Sequence, residues 1–296
     1  MAGEEGIEQL VAVAAGTHWT GMRRLELSDL DNAEAVASDD RPFTELIRRP
    51  QFRKLRRLNA MGNALGNNAA RAIANAGLTE LRYLDLSIND IEEPGAKAIA
   101  ASRLLPNLRF LDLGTCKLGV GAAAALIVTR KLPNLTVLNV DHMQTDSTRD
   151  SAARLLASAS HGSTLRGLFL ERAPLTVPVL AALGKCPAIQ ELWFLSLRGC
   201  NVGDRGLAAF TKNAQLGQLA AIDLEDNALT ARGMQTLAAW PGAASLQSLD
   251  LTENTPGADG AKALIQSEYM KKLKLLKVDG GGTKQLQKHF GKKVVP

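Results

Sequence analysis

The sequence predicts an α/β solenoid: a curved horseshoe with a parallel concave sheet of about ten strands and helices on the convex side. Three observations carry this reading. First, the nine-residue pattern L-x-x-L-x-L-x-x-N/C recurs ten times, with first positions at 22, 55, 81, 108, 135, 165, 192, 219, 246 and 273. The intervals are 33, 26, 27, 27, 30, 27, 27, 27 and 27 residues, a ladder that chance does not produce. Second, the stretches between the patterns are alanine-rich, such as Gly95-Ala-Lys-Ala-Ile-Ala-Ala and Gly121-Ala-Ala-Ala-Ala-Leu-Ile. Alanine is the best helix former and lets neighbouring helices approach closely. Third, strands stack about 4.8 Å apart whereas packed helices need about 8 to 10 Å, so the helical side must be the longer arc.

The elements follow in order. Residues 4 to 15 place apolar side chains at helical spacing and are expected to cap the first repeat, giving a helical cap over 1–21. The clearest patterns are Leu55-Leu58-Ala60-Asn63, Leu81-Leu84-Leu86-Asn89, Leu108-Leu111-Leu113-Cys116, Leu192-Leu195-Leu197-Cys200, Leu219-Ile222-Leu224-Asn227 and Leu246-Leu249-Leu251-Asn254. The 33-residue interval holds an added segment from Ala37 to Pro50, read as a longer convex helix or loop with Pro42 in a first helical turn. In the middle of the chain the Asn/Cys position becomes Met143 and then Ala173, so the side-chain ladder is expected to break there. In the last pattern, Lys274 and Lys277 are expected to blunt an exposed sheet edge. Leu286 and Phe290 suit a closing helix in a cap over 282–296. Ten repeats over 22–281 with two caps make one domain over 1–296.

Composition excludes several classes. Hydrophobic residues are 46% and charged residues 22% of the 296, which is globular rather than disordered. The net charge of +5 is a weak pointer to anionic partners. No phosphate loop occurs; Gly280-Gly-Gly-Thr-Lys lacks the spacing of one, and Gly119-Val-Gly121 falls at an ordinary repeat turn. Cys116 and Cys200 occupy the Asn/Cys turn position, Cys186 precedes a proline, and no C-x-x-C exists. The four histidines, His18, His142, His161 and His289, are scattered, so neither a metal site nor a nucleophile is expected. With no apolar leader or long apolar run, the expectation is a monomer in a reducing cytoplasm, with no cofactor and no membrane role.

The period near 27 and the Gly-Ala-x-x-Leu helix starts resemble the ribonuclease-inhibitor-like subfamily of leucine-rich repeat proteins, over roughly residues 22 to 281. The tail from Leu286 resembles endings of bacterial members. The resemblance implies a non-enzymatic module that binds another protein on its concave sheet, with the partner unspecified.

Because strand side chains alternate, positions 3, 5 and 7 of the pattern face outward from the concave sheet. Tyr83, Phe110, Phe169 and Phe194 fall on such positions, with Trp193 beside them, and with Val137 they cover five successive strands. Exposed aromatic clusters usually mark binding, although cross-strand aromatic pairs also stabilise sheets. The same face carries nine carboxylates, among them Asp85, Asp112, Asp141, Asp223, Glu225 and Asp250, against Arg24, Arg57, Arg198 and Lys277. These aromatics and carboxylates are the candidate partner-binding residues, suited to a protein with a basic or mixed segment. Arg82 and Arg109 are placed to neutralise Asp85 and Asp112, and an open sheet is expected to leave those carboxyls without a pocket to shift them. The alternative is nucleic-acid backbone binding by a basic edge of Arg23, Arg56, Arg82, Arg109, Arg166 and Lys274 and by the clusters around Arg48–Arg57 and Lys292–Lys293.

Overall fold

A leucine two residues from another on a strand points to the same side, so each repeat exposes one apolar face that it cannot cover alone. The computed structural model, which describes residues 21–29, 40–144 and 149–295, shows how the repeats cover one another. Its contacts divide the chain into two compact units, Met1–Met143 and Gln144–Pro296. The expected cap over 4–15, His18 and residues 37–39 lie outside the described residues.

In the first unit, strands β1 (Arg24–Glu26), β2 (Arg57–Asn59), β3 (Tyr83–Asp85), β4 (Phe110–Asp112) and β5 (Val137–Asn139) pair in chain order, all parallel. Their register aligns Leu25, Leu58, Leu84, Leu111 and Leu138, the last four fully buried. Behind them run α1 (Arg41–Ile47), α2 (Asn67–Asn75), α3 (Glu93–Ala101) and α4 (Val120–Val128). The added segment thus yields the short helix α1, with Pro42 in its first turn and Phe43, Leu46 and Ile47 buried.

The second unit repeats the scheme with β6 (Gly167–Phe169), β7 (Phe194–Ser196), β8 (Ala221–Asp223), β9 (Ser248–Asp250), β10 (Leu275–Lys277) and β11 (Val294–Val295). Its helices are α5 (Arg149–Ser158), α6 (Val177–Lys185), α7 (Gly203–Thr211), α8 (Ala231–Ala238), α9 (Gly257–Gln266) and α10 (Thr283–Phe290). Small residues set the helix spacing. At Gly184 on α6 an added Cβ would collide with the backbone carbonyl of Phe210 on α7. No described helix is long and apolar enough to cross a membrane.

Eleven strands are described rather than about ten, and the extra one corrects the reading of the edge. After α10 the chain turns back so that Val294–Val295 pairs with Leu276–Lys277. The edge of β10 is therefore covered by backbone pairing, and Lys277 is turned to a different use described below.

The turns after the strands hold the repeats in step. Position 8 adopts a left-handed conformation in every repeat, with φ between 50° and 71° at Asp29, Gly62, Ile88, Thr115, His142, Arg172, Gly199, Asp226, Glu253 and Gly280. One residue later, the buried Asn or Cys side chain binds backbone along the stack. Asn89 donates to the carbonyls of Ala60 (2.9 Å), Leu86 (2.8 Å) and Ser87 (3.1 Å), and its Oδ1 accepts the N–H groups of Asn63 (3.1 Å) and Leu65 (2.8 Å). Asn227 and Asn254 repeat this pattern, and Cys116 and Cys200 donate more sparingly to Leu86 and Leu170. Met143 and Ala173 are buried but carry no polar atom to continue it. The ladder stops where expected, and the boundary between the two compact units falls at the same Met143.

Two substitutions test these turns. Asn89→Ala leaves several buried backbone groups unpaired and is expected to lower stability by about 3 kcal/mol in urea unfolding. Ile88→Gly removes a β-branched side chain from a left-handed backbone that costs about 1 to 2 kcal/mol, and is expected to raise stability by about 1 kcal/mol after the glycine's own chain-entropy cost.

Candidate functional site

Parallel, in-register strands convert equivalent repeat positions into columns on one face of the sheet. In the first unit, position 3 stacks Arg24, Arg57, Tyr83, Phe110 and Val137. The Tyr83 and Phe110 rings lie parallel, with centroids 4.3 Å apart and planes 3° apart. The Arg57 guanidinium covers the free face of Tyr83 at 3.5 Å, while its Nε donates to Glu26 at 3.0 Å. The rings are thus half-buried by each other and by Arg57 rather than freely exposed.

Beside this stack runs the carboxylate column. Asp85, 9% exposed, accepts the hydroxyls of Tyr83 (3.2 Å) and Ser87 (2.7 Å) and the Ser87 N–H (3.1 Å). Asp112 on the next strand accepts the Gly114 N–H at 2.9 Å and the Asn139 amide at 3.2 Å. Asp141 shares that amide at 3.2 Å, accepts the Thr115 N–H at 3.0 Å and meets His142 Nδ1 at 3.1 Å. Gly114 makes this crowding possible, since a Cβ there would lie 2.5 Å from Asp141 Oδ1 and 2.9 Å from Asn139 Nδ2.

Two expectations fail here. Among the described residues no ion pair joins Arg82 or Arg109 to Asp85 or Asp112, because position 2 lies at the far end of the strand from the carboxylates. Burial pushes the Asp112 carboxyl up to about 6; Gly114 and Asn139 oppose the shift, and the Asp85 and Asp141 charges add to it. The sheet face is open in outline, yet its central column is shielded by the side chains on either side.

In the second unit, Phe169 and Phe194 sit diagonally across adjacent strands, with centroids 4.8 Å apart and planes 39° apart. Trp193 stands free at 58% exposure, its ring 5.9 Å from the Arg166 guanidinium. Gly167 and Ala221 flank Phe194 on the neighbouring strands, so no bulky side chain covers that ring in its own column. Asp223, Glu225 and Asp250 place one carboxylate oxygen each within 4.8 Å of one another, a grouping that sequence spacing did not single out for cations. Two of the three already hold one: Arg198 meets Glu225 at 2.6 Å and Lys277 meets Asp250 at 2.8 Å. Burial raises both aspartates, but at Asp250 the Lys277 ammonium and Thr252 outweigh it and the carboxyl ends below its ordinary value. Arg198, Lys277 and Asn139 are thus site residues, and the signal for them was their place in the same outward columns.

The remaining chemistry is structural. Cys116, Cys186 and Cys200 are free and buried, and burial pushes the Cys116 and Cys200 thiols up to about 12, so they are inert as nucleophiles. On the basic edge, Arg23 and Arg56 share Glu80 at 3.2 and 3.1 Å, while Arg82 and Arg109 are exposed.

The Asp112 environment predicts a pH dependence. Its carboxyl titrates higher in the folded chain than in the unfolded one, so the folded state holds the extra proton between pH 4 and 6. Stability therefore falls as pH rises through that window. Asp112→Asn is expected to raise stability at pH 7 by about 3 kcal/mol, at 1.36 kcal/mol per unit, and to change it little at pH 4, as thermal melts at the two pH values would show.

A leucine-rich repeat family model, described as Leucine Rich repeat, matches residues 78–100, 194–210 and 242–264. No curated protein matches the chain. Among solved structures, the crystal structure of the yeast Rad7 and Elc1 complex aligns with 94% of this chain and 82% of that chain, at 16% identity and a TM-score of 0.37. The 27-residue period, the parallel strands alternating with helices and the matched segments together make the fold a leucine-rich repeat α/β solenoid.

Proposed function

We propose that the chain is a non-enzymatic scaffold that grips a partner protein on the strand-lined face, anchored by Tyr83 and Phe110 in the first unit and by Phe169, Trp193 and Phe194 in the second. The observation that carries this reading is the exposure of Trp193, more than half of its surface, next to a Phe194 ring flanked by Gly167 and Ala221. A tryptophan with its apolar surface in water gains most when a partner covers it, and such residues dominate binding energies. The Tyr83–Phe110 stack supports the same reading with less force, because Arg57 already covers one of its faces.

Asp85, Asp112 and Asp141, and Asp223, Glu225 and Asp250, give the face its sign and favour a partner with a basic or mixed segment. No catalytic group and no cofactor is part of the proposal. The chain acts as a monomer in the cytoplasm, and its repeats and caps form one domain. Protein binding is the general use of leucine-rich repeats, and the exposed Trp193 supports that reading for this chain.

The test is affinity capture followed by titration of the captured protein against two variants, Tyr83→Ala with Phe110→Ala and Trp193→Ala with Phe194→Ala. Circular dichroism establishes that each is folded. Truncating an anchor costs about 1 to 4 kcal/mol of binding, so each double variant is expected to lose the partner at least tenfold. Unchanged capture by both folded variants, with nucleic acid retained by all, would overturn the proposal and move the function to the basic edge around Arg82 and Arg109.

A further inference from the structure

The two units treat the same repeat position differently. At position 5 of the second unit, Asp250 receives the ammonium of Lys277, which comes from position 5 of the adjacent strand. At position 5 of the first unit, Asp85 is followed by a second carboxylate, Asp112, and that by a neutral amide, Asn139. No described cation of the first unit reaches Asp85 or Asp112. Arg57 is held by Glu26 and the Tyr83 ring, Arg23 and Arg56 by Glu80, Lys117 by Asp90 at 2.8 Å, and His142 by Asp141.

We propose that the Asp85–Asp112 step beside the Tyr83–Phe110 stack receives one lysine ammonium from an exposed segment of the partner protein, filling the place that Lys277 fills in the second unit. The inference rests on the strand-lined face being the binding face and adds the chemistry of one contact on it.

The occupant follows from charge and shape together. Two carboxylates on neighbouring strands, which lie about 4.8 Å apart, call for a cation, and the neighbouring rings offer an apolar wall along which a four-carbon stem can lie while its charged head reaches the carboxylates. The fit to a lysine is seen within the chain itself, where Lys277 satisfies an aspartate at the matching repeat position. Asp112 faces Asp85, Asn139, Asp141 with its His142 and, behind the sheet, Cys116; none of these supplies a fixed positive charge. A proton on Asp112 therefore competes with the lysine, and binding weakens as pH falls through about 6.

Asn139→Lys places a built-in ammonium beside Asp112, in the relation that Lys277 has to Asp250. The probe is a fluorescein-labelled Leu-Lys-Leu-Lys-Leu peptide, with its acetyl-lysine counterpart as the uncharged control, read by anisotropy. The expected result is binding of the lysine peptide in preference to the control, a loss of tenfold or more on Asn139→Lys and on Asp112→Asn, and no change on Glu93→Gln, which removes a convex-side carboxylate. Affinity at pH 5 is expected to be several-fold below that at pH 7.5. Absence of lysine-dependent binding to the unaltered protein, equal binding by Asn139→Lys, or an equal loss on Glu93→Gln would overturn the inference. A captured partner that is lost on changing Tyr83 and Phe110 but retained by Asn139→Lys would leave the binding face standing and remove only the lysine contact.

Discussion

Everything on the strand face depends on repeats being held in register by the turns behind it. A three-residue strand carries too few hydrogen bonds to fix its own alignment, so the neighbouring repeat must supply it. The left-handed residue at position 8 reverses the chain, and the Asn that follows binds carbonyls of its own turn and of the preceding repeat. With that geometry fixed, Leu84 lies on Leu111 and Tyr83 on Phe110, and the core and the face are ordered by the same bonds.

The cost of such stacking is that identical positions bring identical charges together. Asp85 beside Asp112 and Asp223 beside Asp250 are both pairs of like charge on adjacent strands. In the second unit Arg198 and Lys277 offset the repulsion from within the chain. In the first unit hydroxyls, an amide and a backbone N–H do so partially, and burial, with the Asp85 and Asp141 charges adding to it, leaves Asp112 as a carboxyl that takes up its proton near pH 6. A lysine in place of Asn139 would offset that repulsion, as Lys277 does beside Asp250, and the chain instead leaves the column uncompensated.

The repeats were legible because their signal is redundant: ten copies of one spacing fix strand, turn and helix, and the failure of Met143 and Ala173 to carry a polar side chain was readable from identity alone. The strand β11 was not, since Val294–Val295 lacks the pattern and pairs only because α10 returns the chain to the edge of β10. For the site, alternation correctly put Tyr83, Phe110, Phe169 and Phe194 on the face, but it treated outward as exposed. Burial in a column depends on neighbours one strand away, which is why Asp85 and Asp250 are nearly covered while Trp193, at a rim position, is not. Ion pairing escaped the sequence for the same reason, because Lys277 and Asp250 are 27 residues apart and meet only through register.

The same rigidity that creates the conflict also orders the face. Its side chains are held by cross-strand contacts, as with Arg57 over Tyr83 and Ser196 donating to Glu171 at 2.9 Å, so little conformational freedom remains to be lost when a partner arrives. Within each unit the aromatic and acidic groups are spaced by the strand separation and held in place, and the units differ in whether the chain itself supplies a counter-charge to the carboxylates.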